Sequence, residues 1–466
     1  MPDTGGREIE SVTNPALKYK AGGASICITP EDPFWLAGYA VRTTPALGKI
    51  SDLYASALAL EDETGQRFVI SSVEMIAVDA ELCDRVADAV RQRHGLLRHQ
   101  LSFTATHTHY APEFRPDKAL FFHIPTDYAL KIPAVAERLA DSLIEVIDEA
   151  LSRLEPVQLF TRTASACFAH NRRRRGVKAG KPSTEDTLDQ DVPVLDCVDA
   201  AGNRVAVVFG YACHCTTIPP EDSRYCGDWV GFAREQLQQT YPGATALFIP
   251  GPGADQDPEP RGSLELSRKY GGEIAASVQN ALEGPAMEIN GAMQIGWENV
   301  PLSLQPVTRE RIQHMLDSDD PPQHVKAQYL LGQLESGEKL ITSYSAPIQV
   351  VRFGSELLLI ALSGEPVIDW AHKLKREFEQ GTRCKVQGDE TPTTGRLPPA
   401  PCFPSVWVAG YCNDVFDYVP TRRVQAEGGY EAGRANLWNW IPAPFTDDVE
   451  DRVTEAVRRV VAQVSR

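Results

Sequence analysis

Paired apolar runs joined by tight turns, interleaved with amphipathic helices, do most to limit what this chain can become. Residues 53–60 and 67–72 flank the turn residues Glu63, Thr64, Gly65 and Gln66, a hairpin signature. Residues 192–198 and 205–211 repeat the device around Asp199-Ala200-Ala201-Gly202-Asn203, and residues 347–353 and 357–362 repeat it again. Apolar positions at helical spacing predict helices over 80–92, 128–152, 229–239, 264–282, 366–379 and 447–464. Further strands are predicted at 157–165, 244–249 and 406–409. Residues 305–337 read as a polar, peripheral helical region, and residues 385–404, rich in Pro, Thr and Gly, as a long loop. Hairpins mixed with helices imply an α+β fold of layered mixed or antiparallel sheets flanked by helices, not a βαβ repeat. Residues 1–20 read as a flexible tail and residues 21–466 as a single domain, since no linker divides them.

Composition narrows the function. A net charge of −17 opposes non-specific binding to nucleic acid or to an anionic membrane. No apolar run approaches the length that crosses a bilayer. The first twenty residues lack the apolar core of a secretory signal, so a cytoplasmic location is expected. The ten cysteines include no Cys-x-x-Cys pair and are expected to be reduced. Cys213 and Cys215 flank His214, but on a strand their side chains point away from it, which weakens a thiolate metal site.

The most chemical stretch is Thr104-Ala105-Thr106-His107-Thr108-His109, directly after the apolar run Leu101-Ser102-Phe103. Residues two apart on an extended chain share a face, so two imidazoles would leave the strand side by side. Neutral imidazole is a standard zinc ligand. The alternative is a polar strand end with two solvated histidines. Further ligands would have to stand at other strand ends. His214 follows the strand at 205–211. Glu365 lies in Ser363-Gly364-Glu365-Pro366 before a helix, where the helix dipole alone favours a carboxylate. Tyr418, in Asn413-Asp414-Val415-Phe416-Asp417-Tyr418-Val419-Pro420, reads alone as a buried tyrosine.

In order and context these residues resemble the neutral, non-lysosomal ceramidases and their bacterial relatives. The resemblance runs from about Ala24 to Tyr430. It passes through Ile28-Thr29-Pro30, Trp35-Leu36-Ala37-Gly38-Tyr39, Leu53-Tyr54-Ala55-Ser56-Ala57-Leu58, Thr106-His107-Thr108-His109, Asn171-Arg172, His214, Cys226-Gly227-Asp228, Gly364-Glu365, and Tyr418 with Tyr430 twelve residues on. The resemblance implies a ceramidase catalytic-domain-like fold. It implies a Zn²⁺ ion held by His107, His214, Glu365 and Tyr418, with room for a water. It also implies His109 beside the metal, contacting water or the substrate carbonyl. Arg172 and Tyr430 would line the site and stabilise an oxyanion. Asp228 would shape the loop after His214, either as a partner behind the metal ligands or as a plain turn residue. In the run Arg172 to Arg175, only Arg172 has a counterpart in the family, and the other three read as a solvated, mobile stretch, with recognition of a carboxylate or phosphate on the substrate as the other reading.

The chain also departs from the family. The ceramide-cleaving members carry a Gly-Asp-x-Ser-Pro loop, whereas Gly251-Pro252-Gly253-Ala254-Asp255-Gln256-Asp257-Pro258 has no serine. Asp257 or Gln256 takes its approximate place, and a carboxylate there suits a general base or a loop-ordering role. Tyr110 replaces the usual serine after the histidines, and the C-terminal immunoglobulin-like domain of full ceramidases is not expected here. The combined expectation is a zinc-dependent hydrolase of a linear N-acyl amide, on a small-molecule or lipid-like substrate other than membrane ceramide. An esterase using the same site and a catalytically silent binding protein are the alternatives. A His-x-His amidohydrolase barrel fits poorly, because several strands and hairpins precede the pair. Trp438 and Trp440 are expected in the core, with a pocket wall as the other reading.

Overall fold

The computed structural model describes residues 17–174, 188–379 and 401–466. Its strands are β1 (Tyr19–Cys27), β2 (Tyr54–Asp62), β3 (Arg67–Val73), β4 (Leu101–Ala105), β5 (Glu155–Ser165), β6 (Ala169–Asn171), β7 (Asp191–Asp199), β8 (Arg204–Tyr211) and β9 (Thr245–Pro250). They continue with β10 (Gln256–Pro258), β11 (Met287–Glu288), β12 (Met293–Ser303), β13 (Ser343–Phe353), β14 (Leu357–Leu362), β15 (Glu365–Pro366), β16 (Ser405–Ala409) and β17 (Tyr418–Val419). The helices are α1 (Ala80–His94), α2 (Lys118–Phe121), α3 (Thr126–Ala129), α4 (Ile132–Ser152), α5 (Asp228–Thr240) and α6 (Leu264–Glu283). After them come α7 (Arg309–Leu316), α8 (Pro321–Glu335), α9 (Asp369–Phe378), α10 (Arg422–Glu427) and α11 (Val449–Val464).

A nine-stranded sheet runs β4-β3-β2-β1-β5-β7-β8-β9, with β11 on β5, and faces a four-stranded sheet ordered β12-β13-β14-β16. Alternation along each strand divides its side chains between two cores. Leu58, Ile70 and Leu247 point inward onto Val351, Leu359 and Trp407 of the other sheet. Their neighbours point outward: Ala57, Val69 and Phe103 onto α1 and α4, and Phe209 and Phe248 onto α5 and α6. On the second sheet, Val350, Ile360 and Val408 meet α9 and α11. Both sheets are therefore covered on both faces, the α+β layering expected from the mixture of hairpins and helices.

In the two large sheets three neighbouring strand pairs are parallel: β3 with β4, β8 with β9, and β14 with β16. The chain leaves the carboxyl ends of β4, β8, β9, β14 and β16 into segments that carry His107, His109, His214, Asp257, Glu365 and Tyr418. Ligand sites commonly form where several parallel strands end together.

Two expectations need correction. The tail does not extend to residue 20, because buried Tyr19 opens β1 and pairs with Asp62 and Val157; residues 1–16 lie outside the described residues, as does most of the expected 385–404 loop. The helical region after residue 305 is not peripheral. Lys326 of α8 is buried and donates to the carbonyls of Asn436, Asn439 and Ile441 at 3.1, 2.6 and 2.5 Å. It thereby fixes a segment that closes the site described next.

Candidate metal centre and active site

His107 does not continue the strand before it. β4 ends at Ala105, and His107 has φ 63°, a left-handed backbone uncommon outside glycine. The imidazoles of His107 and His109 therefore converge through a kink, not through the two-residue period of an extended chain. Their Nε2 atoms are 3.4 Å apart. His214 arrives from the end of β8, and Thr108 bridges to Cys215 beside it. The metal-binding atoms of the three histidines lie within 4.8 Å of one another.

Backbone carbonyls set the tautomers. His107 Nδ1 donates to the Ile76 carbonyl at 2.7 Å. His214 Nδ1 donates to the Gly253 carbonyl at 2.8 Å, with Gln256 O at 3.1 Å. Each Nδ1 thus carries the proton, and each Nε2 presents a lone pair to the centre. Glu365 completes the cluster, with Oε2 at 3.4 Å from His107 Nε2 and 3.9 Å from His214 Nε2. That oxygen is buried without a hydrogen-bond partner. Acceptor atoms facing one another repel unless a cation stands between them. Burial pulls the His107 imidazole down to about 3 and both His109 and His214 well below the usual range. Burial also pushes Glu365 up to about 7. Neutral imidazoles and a carboxylate that needs a counter-charge fit a divalent ion of the zinc type.

Gly364, at φ 70°, permits the next contact, since a Cβ there would lie 2.6 Å from Val419 Cγ2. β15 and β17 then pair in parallel with Glu365 opposite Tyr418. The Tyr418 hydroxyl bonds to Glu365 and accepts from Arg172 Nη2 at 3.1 Å. Arg172 also holds Glu431 at 2.7 Å and Asp257 at 3.4 Å. Asp257 is buried and shared with Arg261 at 3.1 Å. It stands beside Arg172 and does not line the cavity at the centre. Arg173 is not solvated as expected: Glu431 at 2.5 Å, Glu427 at 3.1 Å and the Gly428 carbonyl at 2.8 Å hold it. Arg174 pairs with Glu427 at 3.6 Å, and Arg175 lies outside the described residues. A run of like charges misled because its carboxylate partners come from a segment some 250 residues away.

Asp228 is buried and accepts from the amides of Thr217 and Trp229, each at 2.7 Å, pinning the loop after His214. Trp229 Nε1 donates to the His214 carbonyl at 3.0 Å, a support the sequence did not mark. Tyr110 packs with Ile218, Cys226 and Phe232 and donates to the Ile218 carbonyl, so it is structural. Cys213 and Cys215 are buried, and desolvation raises both thiols well above their ordinary range. Protonated thiols are poor metal ligands. Tyr411 went unnoticed in the sequence. It has φ 57°, packs its ring 4.5 Å from that of His107 and buries a hydroxyl without a partner.

The cavity above the cluster measures about 90 Å³ and is lined by His107, His109, Glu365, Tyr418 and Tyr430 together with Arg115, Lys118, Asp417 and Asn439. Phe122 and Trp438 wall it, their rings stacked with centroids 5.9 Å apart. Trp440 packs instead against the core of the second sheet. Tyr430 is 41% exposed at the mouth, with its ring 5.6 Å from the Arg172 guanidinium. Gly38 closes the other side. It has φ 93°, and a Cβ there would come within 2.5 Å of His109 Nδ1. Gly38→Ala is expected to displace His109 and cut activity roughly tenfold or more while the protein still folds, since a misplacement of about 1 Å can cost ~10²-fold in rate. Steady-state kinetics with a melting curve check this.

Residues 19–252 match the family described as neutral/alkaline non-lysosomal ceramidase, N-terminal. The chain belongs to this family. The neutral ceramidase of Drosophila pseudoobscura pseudoobscura is 25% identical over 233 residues, 48% of this chain and 32% of that protein. Neutral ceramidase B of Dictyostelium discoideum is 23% identical over 206 residues, 42% and 28% of the two chains. The match thus spans about a third of the length of these relatives. The crystal structure of neutral ceramidase from Pseudomonas aeruginosa shares the fold, with TM-score 0.72 at 18% identity over 96% of this chain and 74% of that one. A ceramidase complexed with C2 aligns similarly, with TM-score 0.71 at 17% identity over 96% and 75%. His107, His109, Arg172 and His214 lie inside the family match, and Glu365, Tyr418 and Tyr430 lie beyond it.

Proposed function

We propose that this chain is a metal-dependent hydrolase that cleaves a linear amide bond in a small, polar N-acyl compound. The observation that carries the reading is the set of facing acceptors: two imidazole Nε2 atoms with their protons committed elsewhere and an unpartnered Glu365 oxygen. His107, His214 and Glu365 would hold a Zn²⁺ ion, with the Tyr418 phenol beside Glu365. When bound, such an ion supplies Lewis acidity, polarising a carbonyl and acidifying a water.

This chain's residues divide the remaining work. His109 Nδ1 is buried without a well-formed hydrogen bond, unlike that of the other two histidines. Its ring lines the cavity and has the Gly38 backbone beside it without a fully formed hydrogen bond, which suits a proton carrier better than a ligand. It takes the proton lost as water adds to the amide carbon. The C–N bond then breaks, the amine leaves with a proton, and the acyl part leaves as a carboxylic acid. Tyr418 and Tyr430 form the hydrogen-bonding side that would face the oxyanion, while Arg172, expected to line the site, does not line the cavity and holds the Tyr418 hydroxyl from behind. Asp257 keeps Arg172 aimed there.

The cavity's size argues for the substrate class. At about 90 Å³ the cavity is small, which favours a short acyl group, and five of its lining residues, Arg115, Lys118, Glu365, Asp417 and Asn439, bear charge or an amide. A carboxylic ester would meet the same groups. The described cysteines are all free, which supports a reducing, cytoplasmic setting. No helix of the described residues is long and apolar enough to cross a membrane.

The test is a panel of N-acyl amides of rising acyl length, assayed with zinc-loaded protein. Short-chain amides are expected to turn over, with kcat/KM falling at least about tenfold toward long acyl chains, the factor worth ~1.4 kcal/mol. A preference for long chains would overturn the substrate class. No turnover of any amide or ester by metal-loaded protein would favour a silent binder.

A further inference from the structure

The segment that closes the catalytic cavity has a second cavity on it. Tyr430, Trp438 and Asn439 face the first, while Gly429, Gly433, Asn436 and Leu437 line another of about 440 Å³. That volume is typical of small-molecule sites. Its other walls come from α7 and α8, through Arg311, His314 and Lys326, with Arg434 from the shared segment.

The charge of this cleft runs against that of the chain. Three cations line it and no carboxylate does, in a protein of net charge −17. Arg311 is half-buried, and its side-chain bond is to a neutral group, Gln305 Oε1 at 3.3 Å. No ion pair engages it among the described residues, and burial lowers its pKa unopposed by any carboxylate. Burial lowers the Lys326 pKa, Asp417 offsets part of that, and Lys118 and Arg311 lower it further; its donors go to three backbone carbonyls, with no carboxylate within ion-pair distance. Arg434 at the rim pairs with Asp320 at 3.1 Å. Arg311 is thus the one of the three cations with no carboxylate acting on it among the described residues, and a half-buried cation so placed is costly unless something negative joins it.

We propose that this second cleft binds a small anion through a carboxylate or phosphate group, with Arg311 as its principal charged contact. The Arg311 fork offers paired donors of the geometry that planar oxyanions accept. Lys326 contributes field, and Arg434 and His314 close the rim. The site is separate from the metal centre and does not depend on the amidase reading.

Isothermal titration of the full-length protein with inorganic phosphate and, separately, with succinate tests this at neutral pH in a low-chloride buffer. At least one is expected to bind with Kd of about 1 mM or tighter, and the tighter of the two identifies the group. Arg311→Gln, which removes one long bond to Gln305, should leave the melting temperature unchanged and weaken binding roughly tenfold or more. Should that variant misfold, Arg434→Gln decides, with a several-fold weakening expected. Absence of binding by both anions, or unchanged affinity in a folded Arg311→Gln or in Arg434→Gln, overturns the proposal.

Discussion

Replacing His107 with alanine is expected to abolish stoichiometric metal binding and to reduce amide hydrolysis at least about a hundredfold. Changes behind the ligands already cost ~10–100-fold in metal affinity or activity, and loss of a ligand should exceed that. The fold should survive, because apart from its contacts within the cluster the His107 ring bonds to the Ile76 carbonyl alone. His214→Ala should behave alike. His109→Ala should not: it should keep the metal and lose turnover, because its ring lines the cavity and its Nδ1 makes no fully formed hydrogen bond of the kind that commits the other two rings. Elemental mass spectrometry on the three purified variants, beside kinetics, separates ligand from proton carrier. Metal retained by both His107→Ala and His214→Ala would contradict the assignment.

The second large effect is expected at Arg172. Its guanidinium joins Glu431, Asp257 and the Tyr418 hydroxyl from three distant segments. Truncation to alanine leaves two buried carboxylates short of a partner, although Arg173 still holds Glu431 and Arg261 still holds Asp257. The stability loss should therefore sit near the lower end of that seen when buried pairs are broken, about 3 kcal/mol. Activity should fall mainly in kcat, because the contact to Tyr418 orients a group at the reacting centre. Arg172→Lys should recover part of the stability and little of the rate, since an ammonium cannot reach three partners in fork geometry. Urea denaturation and a split of kcat from KM measure both. An Arg172→Ala variant as stable and as active as the parent would show the network to be idle.

Much of the architecture was legible because alternation and helical spacing report burial directly. The three hairpins and the long helices fall where their apolar patterns place them. β12 did not show itself. It contains Gly296, Asn299 and Pro301, residues that punctuate sequence, yet it is an edge strand, where a proline costs no ladder bond. Lys326, within the stretch read as polar and peripheral, proves to be an internal clamp, because its acceptors are backbone carbonyls with no sequence signature.

The site was legible only in part. His-x-His flagged itself, but the geometric argument drawn from it was wrong, since His107 sits in a left-handed kink that period-two reasoning cannot see. Glu365 and Tyr418 carried no local signal apart from family order, and their pairing depends on Gly364. Arg173 misled because local charge density is not exposure. Tyr411 offered nothing to read, as a single tyrosine in a loop is uninformative until its ring is found against His107.

The most direct test is a crystal of the metal-loaded protein measured by anomalous diffraction on either side of the zinc edge. The account predicts one strong peak among His107 Nε2, His214 Nε2 and Glu365 Oε2, at ligand distances of about 2.0–2.2 Å. A zinc-soaked, folded protein with no peak between those three atoms would contradict it.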